Sequence, residues 1–303
     1  MSRHLTILAL FIFGLASLLS AQNGASLYEQ LPLPERQTNA DGGIALAGRL
    51  SPMDLDTREQ TVVNEILSGN VPGFARHLKP ITFTQKINTR SYTVTLFAVC
   101  DYMAIGSDED YMYIPMTPST AQYLADRFDG LLPTRKIVDI IYNHADRRLS
   151  PQPIPPSPEM TTVPVFLQHT DSIQTQFRRQ GWPHEAGSMI GGHKKDIVIS
   201  NKIYSTDRDY DRVVIYGWHR APGDPIQPLY NGHSARYADY SHGVRIILKN
   251  VIINGDTLRM DKILKDPVLS VLLSDEGTIT KAFYPPNPVL TGMSPVPGMP
   301  GPT

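Results

Sequence analysis

The chain has a single cysteine, Cys100, and this limits how its fold can be stabilised. An exported protein with one cysteine forms no internal disulfide, so a hydrophobic core has to hold it together. The chain has 303 residues, 41% of them hydrophobic, which is enough for one large domain or two small ones. One cysteine also excludes multi-cysteine zinc sites. Cys100 ends the apolar run TVTLFAVC, and we expect a buried structural residue there rather than a nucleophile.

The N-terminus has the pattern of a secretory signal peptide. Arg3 precedes an apolar run over residues 5–19, and two small residues follow the run. The run is too short for a stable membrane span, and no cysteine follows it for lipid attachment. We therefore predict a signal peptide over residues 1–21 and a secreted or periplasmic location. A retained N-terminal anchor is the alternative.

The order of patterned segments predicts an α+β fold, with a mostly antiparallel or mixed sheet and a few helices in the N-terminal half. Two alternating, β-branched segments joined by NTR (88–90) predict a hairpin, and helix-start signals occur at Asp56, Thr117 and Pro133. Most of the second half is predicted as strand, with a turn at Asn254. Helices and strands are segregated along the chain rather than alternating, which is typical of this class.

Composition sets the predicted boundaries. Residues 22–50 are predicted as a disordered leader and residues 51–282 as a single α+β domain. Residues 283–303 are predicted as a disordered, Pro-rich tail. The Pro-rich segment 149–164 is predicted as a strap across that domain, with an inter-domain linker as the alternative. The net charge of −1 and the scattered basic residues argue against nucleic-acid binding.

Histidines are concentrated in one part of the chain. Histidine suits proton transfer and metal ligation near neutral pH, so the concentration favours a His-centred site. For each residue alone, a hydrogen-bonded turn histidine is the alternative. The histidines in question are His169, His184, His193, His219, His233 and His242.

The stretch YADYSHGVR, residues 237–245, carries several of the candidate residues. If it is an extended strand, Asp239, Ser241 and Arg245 face one side and His242 faces the other. Adjacent serine and histidine side chains then diverge, so this stretch does not form a Ser-His-Asp triad by itself.

Residues 212–247 resemble the signature of the L,D-transpeptidases of bacterial cell walls. That signature is a Ser-His-Gly-Cys-x-Arg block that follows an earlier His-Gly. Here no cysteine stands between Gly243 and Arg245, so the resemblance implies a related fold and a cell-wall substrate but not acyl-cysteine chemistry. The matching residues are His219, Ser241, His242, Gly243 and Arg245.

A second resemblance is to zinc metallopeptidases of the D-Ala-D-Ala type, which use a histidine, an aspartate and then Glu-x-Trp-His. His193, Asp196 and the pair Trp218-His219 occur here in that order. The resemblance implies zinc ligation, but Tyr216 replaces the catalytic glutamate, so no general base is identified. The segments GHKKDIV and YADYSHGVR also resemble a family of secreted bacterial proteins with no assigned activity.

These patterns favour an exported hydrolase or transferase that acts on an extracellular polymer, with a bacterial cell-wall peptide or glycan as the predicted substrate. The predicted catalytic residues are Lys194, His219, Ser241 and His242. The predicted substrate-binding residues are Trp218, Arg220, Tyr237, Asp239, Tyr240 and Arg245. The predicted ligands of a divalent metal such as zinc are His193 and Asp196, and a site without a cofactor is the alternative.

The competing hypothesis is a non-catalytic secreted module that binds carbohydrate or peptide through its tyrosines and Trp218. The two hypotheses differ in geometry. An enzyme requires His193, His219 and His242 to converge on one pocket. A binding module predicts dispersed histidines and an exposed aromatic strip.

Overall fold

The computed structural model describes residues 29–291. The predicted signal peptide and residues 292–303 of the predicted tail lie outside this range. Within it, the chain forms six α-helices and 14 strands in mostly antiparallel or mixed sheets, with most helices in the N-terminal half. The predicted α+β class is therefore confirmed.

The helices vary in length from one turn to five. They are α1 (Gly43–Leu50), α2 (Leu55–Leu67), α3 (Pro118–Arg127), α4 (Arg135–His144), α5 (Val163–Gln180) and α6 (Met260–Ile263). Short 3₁₀ turns occupy Gly73–Ala75, Pro158–Thr161, Asn201–Tyr204 and Leu269–Leu272. Between residues 29 and 291, no helix has the length and apolar character needed to cross a membrane.

The strands form two larger sheets and two small ones. In the first half of the chain they are β1 (Leu78–Ile87), β2 (Arg90–Val99), β3 (Ala104–Gly106), β4 (Tyr111–Tyr113), β5 (Gly130–Leu131) and β6 (Arg147–Arg148). In the second half they are β7 (Ile190–Gly191), β8 (Lys195–Ile197), β9 (Arg212–Ala221), β10 (Asp224–Ser234), β11 (His242–Gly243), β12 (Ile247–Leu248), β13 (Asn250–Ile253) and β14 (Asp256–Arg259).

The predicted hairpin forms the centre of the six-stranded sheet. β1 and β2 pair antiparallel over their whole length, and Asn88 adopts the positive φ of 53° that the tight turn requires. β13 and β12 also pair with β2. β14 then pairs with β13, and β5 pairs with β12. Val94, Leu96 and Ala98 of β2 are all fully buried, so this strand lies in the core.

The four-stranded sheet, in the order β10-β9-β8-β11, positions most of the candidate residues. β8 pairs antiparallel with β9 and parallel with β11. In this register Asp196 is opposite Tyr216 on one side and opposite Gly243 on the other. The sheet therefore brings the segments around residues 196, 216 and 243 together, although they are far apart in sequence.

Helix α2 begins earlier than the sequence pattern indicates. Its N-cap is Asp54, whose Oδ1 accepts a hydrogen bond from the Thr57 amide at 2.9 Å, and not the predicted Asp56. Glu59 in this helix is buried and accepts hydrogen bonds from the amide and hydroxyl of Thr117, the residue that precedes α3. These bonds satisfy the N-terminus of α3 and fix the two helices to each other.

The prediction of a disordered leader over residues 22–50 is wrong for its described part. Residues 43–50 form α1, and Leu46 and Leu50 lie one helical turn apart and are fully buried. The predicted tail also begins too early, because Tyr284 and Leu290 are buried in the core. In both segments a few apolar residues at the right spacing are sufficient to anchor a polar or Pro-rich sequence.

The sequence pattern did not predict α5, the longest helix. Its buried face includes Phe166, His169, Ile173 and Phe177, at a spacing of three or four residues. The segment before it, residues 149–157, has no regular secondary structure. Ile154 in this segment is partly buried against the core, as a strap requires.

Candidate functional site

Asp101, just after β2, is the centre of a buried polar cluster. Its carboxylate accepts hydrogen bonds from the Tyr113 hydroxyl at 2.6 Å and from the Tyr102 amide at 2.7 Å. The Nε2 atoms of His184 and His193 lie 3.0 and 3.2 Å from its two oxygens. Burial opposes ionisation, but the two histidines outweigh it and hold the pKa of Asp101 well below its usual range.

Lys194 carries a buried amine that contacts no carboxylate directly in the described part of the chain. Its Nζ donates a hydrogen bond to the Tyr240 carbonyl at 2.6 Å, lies 3.1 Å from Nδ1 of His169 and faces the ring of Tyr113. Burial lowers the pKa of Lys194 to about 7. Near neutral pH its amine is therefore present in both the protonated and the neutral form.

Asp196 and Arg245 lie side by side in the core. Asp196 accepts a hydrogen bond from the Tyr102 hydroxyl at 2.7 Å, and burial raises the pKa of its carboxyl to about 6. Arg245 donates through Nη1 to the Val99 carbonyl and through Nη2 to the Ile190 carbonyl, at 2.8 and 2.7 Å. Its guanidinium thus binds two backbone carbonyls, although Arg245 was predicted to bind substrate.

His219 near the end of β9 is oriented by Asp139 of α4. The Nε2–Oδ1 distance is 2.9 Å, the Tyr216 hydroxyl donates to the same oxygen at 2.9 Å, and the ring stacks on Tyr142. A cavity of about 10 Å³ lies beside this imidazole, which is room for about one water molecule. The polar side chains in its wall are Tyr102, Tyr142, Asp196, His219 and Arg245.

The stretch around Ser241 is a turn and not the expected extended strand. Oδ1 of Asp239 accepts hydrogen bonds from the Ser241 amide and hydroxyl at 2.8 and 2.5 Å, and the His242 amide donates to the Asp239 carbonyl. An aspartate that bonds the backbone two residues ahead favours a turn over a strand. The Ser241 hydroxyl is therefore engaged in this turn, which does not prepare it as a nucleophile.

His242 follows the turn and is fully buried. Neither ring nitrogen makes a hydrogen bond within the described part of the chain, and Nε2 lies 4.0 Å from Oδ2 of Asp239. Burial lowers the pKa of His242 to about 4, so its ring is neutral at pH 7. The rings of Tyr237 and His233 pack beside it, and the Tyr237 hydroxyl donates to Asp239 at 3.2 Å.

Trp218 is the clearest backbone anomaly of this region. Its φ is +60°, a conformation that large side chains rarely adopt, and its ring is buried under the ammonium of Lys195. Such strain is concentrated at functional sites. Arg220, two residues later, is exposed and forms both hydrogen bonds of its fork with Asp224. Tyr240 is buried, and its hydroxyl bonds the backbone of Ile154 in the strap.

The predicted residues form neighbouring clusters rather than one open pocket. His193 contacts Asp101 and His219 contacts Asp139, while the nearest carboxylate to His242 is Asp239. The small cavity beside His219 is lined by neither His193 nor His242. The expected convergence of three histidines on one pocket is therefore not seen.

His193 and Asp196, the predicted metal ligands, point to different partners. His193 contacts Asp101, whereas Asp196 bonds Tyr102. Within residues 29–291, no group of three His, Cys, Asp or Glu side chains is arranged to hold a metal ion. Cys100 is buried, and burial raises the pKa of its thiol to about 11, as expected for a structural residue.

Sequence patterns missed several residues that organise these clusters. Asp101 could have been noticed, because an aspartate directly after an apolar strand is unusual. Asp139 sits within a helical pattern and has no local signal, whereas His169 was noticed only as one of the concentrated histidines. The partners missed in this way are Asp101, Tyr102, Tyr113, Asp139 and Tyr142.

Three adjoining cavities form a cleft on another part of the molecule. The first cavity measures about 600 Å³, the second about 310 Å³ and the third about 500 Å³. Ser119 and Asn287 line both the first and the second, and Ser234 and Arg236 line both the second and the third. The three cavities therefore follow one another in a row. Tyr237 in the wall of the third links the cleft to the turn at Asp239.

Comparison with known protein families, with curated proteins and with solved structures finds no match for this chain. The resemblances to transpeptidases and to zinc metallopeptidases accordingly remain predictions.

Proposed function

We propose that this protein is an extracellular binding protein for an extended polymer, such as a cell-wall peptide or glycan, which lies along the cleft. The observation that carries the proposal is the row of three adjoining cavities that share wall residues. Each has the volume of a small-molecule site, and a row of such sites suits successive units of a chain.

The wall of the third cavity has the mixed character that polymer binding needs. Met53, Leu55 and Tyr237 offer apolar surface, while Arg58 and Arg236 offer hydrogen-bond donors. Apolar surface with a few placed polar groups gives both affinity and orientation. Tyr237 was predicted as a substrate-binding residue, and its position in this wall supports that prediction.

The positions of the histidines favour binding over catalysis. The exposed fractions of His193, His219 and His242 are 0%, 2% and 1%, and none of the three lines the cleft. Of the three acids in the wall of the second cavity, Glu59 is engaged by Thr117 and Asp56 by Arg236 at 3.1 Å, which leaves Asp211 as a single acid with no histidine in the wall. A polymer in the cleft would therefore meet no free acid–base pair at these positions.

Binding of purified protein to insoluble peptidoglycan and to cellulose, measured by sedimentation, tests this proposal. Arg236→Ala should reduce binding because Arg236 lines two of the cavities. Arg178→Ala is the matched control: the side chains of Arg236 and Arg178 are 66% and 61% exposed, and each pairs with one aspartate. Equal binding by both variants and the wild type would count against the cleft, as would the absence of binding to either polymer.

A hydrolase is the second candidate, and the cavity beside His219 favours it. The cavity has room for about one water molecule, between an imidazole oriented by Asp139 and the carboxyl of Asp196. With a pKa raised to about 6, Asp196 is an acid suited to protonating a leaving group, while His219 accepts the proton of the water. The cavity is too small for a polymer unit, so this function ranks second.

Peptidoglycan digestion tests the second candidate. We expect His219→Ala and Asp139→Asn to abolish release of soluble fragments if His219 is the base. His144→Ala, which changes an exposed histidine on the same helix as Asp139, should leave release unchanged. No release by the wild type would remove the hydrolase hypothesis and leave the binding hypothesis intact.

A further inference from the structure

The first cavity of the cleft has more charged side chains in its wall than the second or the third. Its wall contains four cationic side chains and two anionic ones. The cations are Arg127, Lys249, Arg259 and Lys265, and the anions are Asp126 and Asp261.

The two acids are matched with two of the cations. Asp126 lies 3.3 Å from Nζ of Lys249, and Asp261 lies 3.8 Å from Nε of Arg259. Arg259 is paired a second time, because both its Nη atoms donate to the carboxylate of Asp129. The net positive charge of the wall therefore comes from the other two cations, Arg127 and Lys265.

Arg127 and Lys265 are the two cations of this wall that pair with no carboxylate in residues 29–291. Arg127 is only 7% exposed: its Nη2 donates to the Tyr123 hydroxyl at 2.5 Å, and its Nη1 makes no hydrogen bond in the described chain. A buried guanidinium with an unused donor is costly unless a ligand satisfies it. Lys265 is exposed on the wall of the same cavity.

We propose that the first cavity binds the anionic group of the polymer, a carboxylate or a phosphate, through Arg127 and Lys265. This inference rests on the proposed function, since the second and third cavities hold the neighbouring units. The guanidinium supplies a planar donor pair that matches either oxyanion, and the ammonium adds a mobile charge. Phe283, exposed beside them, supplies an apolar surface for the unit that bears the anion.

Titration calorimetry with three soluble polymers tests the inference. We expect oligogalacturonate or polyphosphate to bind at least ten-fold more tightly than a neutral cello-oligosaccharide, and the two anionic polymers separate carboxylate from phosphate. Affinity for the anionic polymer should fall as salt concentration rises, because the contact is electrostatic. Equal affinity for neutral and anionic polymers would overturn the inference while leaving the proposed function standing.

Two variants localise the effect. Lys265→Glu should weaken binding of the anionic polymer about ten-fold and leave the neutral one unchanged. Lys262→Glu is the matched control, since Lys262 is exposed in the same segment but does not line the cavity. Arg127→Met should have a larger effect than Lys265→Glu, with circular dichroism confirming that it is folded. Equal losses in the Lys265 and Lys262 variants would overturn the inference.

A second measurement separates the inference from the proposed function. If no polymer binds, titration with inorganic phosphate and with acetate, followed by NMR, examines the cavity alone. Shifts confined to residues of the first cavity, and lost in Lys265→Glu, would support the anion site while the polymer proposal fails. No saturable shift with either anion would overturn the site.

Discussion

Nζ of Lys194 lies 3.1 Å from Nδ1 of His169, and neither residue is more than 1% exposed. Burial lowers the pKa of both groups, so the protein holds two basic side chains in contact in its interior. The negative charges of Asp239 and Asp101 nearby raise the pKa of Lys194 and so offset part of the effect of burial. A lysine of this kind makes stability depend on pH.

Lys194→Met should change how stability responds to pH. Because the pKa of Lys194 falls from 10.5 to about 7 on folding, the unfolded state binds more protons between these values. The free energy of unfolding of the wild type should therefore rise from pH 7 to pH 9, by about 2 kcal/mol more than that of the variant. Urea denaturation at several pH values measures this, and Lys262→Met is the exposed control. Parallel pH profiles of wild type and Lys194→Met would contradict it.

Gly243→Ala should destabilise the fold where β11 meets the buried cluster. A Cβ at Gly243 would lie 2.5 Å from Cδ1 of Tyr102 and 2.8 Å from Cβ of Lys194. Relief of such overlap costs about 1–3 kcal/mol of stability. Gly48→Ala is the control: its Cβ would meet nothing within 4 Å on an exposed helical position, so it should stabilise by about 0.5–1 kcal/mol. Thermal unfolding of both variants checks the opposite signs.

Asp239→Asn should remove a stabilising charge and keep the turn. Burial opposes ionisation of Asp239, but His242 in its protonated form, Lys195 and the bonds from Ser241 outweigh it and lower the pKa to about 2. The stabilisation is therefore present above pH 4 and is lost as the pH falls towards 2. We expect the variant to be less stable than the wild type by about 1 kcal/mol at pH 7, because His242 is neutral there and only Lys195 and the Ser241 bonds favour the charge.

The difference between the Asp239→Asn variant and the wild type should shrink as the pH falls from 4 to 2.5, as followed by urea denaturation. Asp171→Asn, which changes an exposed aspartate, should match the wild type throughout. A difference between Asp239→Asn and the wild type that does not change with pH would mean that the carboxylate charge of Asp239 does not contribute.

The hairpin of β1 and β2 and helices α3 and α4 follow local rules, and the sequence predicts them for this reason. Alternation of apolar and polar residues marks the strands, and Thr117 and Thr134 precede the two helices. Helix α5 was missed because His169 and Thr170 lie on its buried face and interrupt the apolar pattern. Polar residues at core positions carry no local signal.

The buried clusters depend on contacts between distant segments, which no local pattern encodes. Asp101 meets His193 only because β2 and the segment before β8 are neighbours in the fold. The stretch around Ser241 was considered as an extended strand. The side chain of Asp239 instead bonds the backbone and makes a turn. Competition between local side-chain bonds and sheet pairing decides such cases.

Arg245→Lys separates a structural role of this residue from a substrate-binding one. Its guanidinium bonds the carbonyls of Val99 and Ile190 and stacks 4.3 Å from the ring of Tyr102. Lysine keeps the charge but cannot reach both carbonyls, so one buried acceptor loses its partner. We expect the free energy of unfolding to fall by about 2–3 kcal/mol.

Arg220→Lys is the matched control for the Arg245 experiment. Arg220 is an exposed arginine that also uses both ends of its fork, here on Asp224, and its replacement should leave the unfolding midpoint unchanged. Polymer binding is the second readout. If Arg245 held a substrate carboxylate, Arg245→Lys would lower affinity in a protein whose stability is unchanged. The contacts with Val99 and Ile190 lead us to expect the reverse: lower stability, with unchanged affinity at temperatures where the variant remains folded.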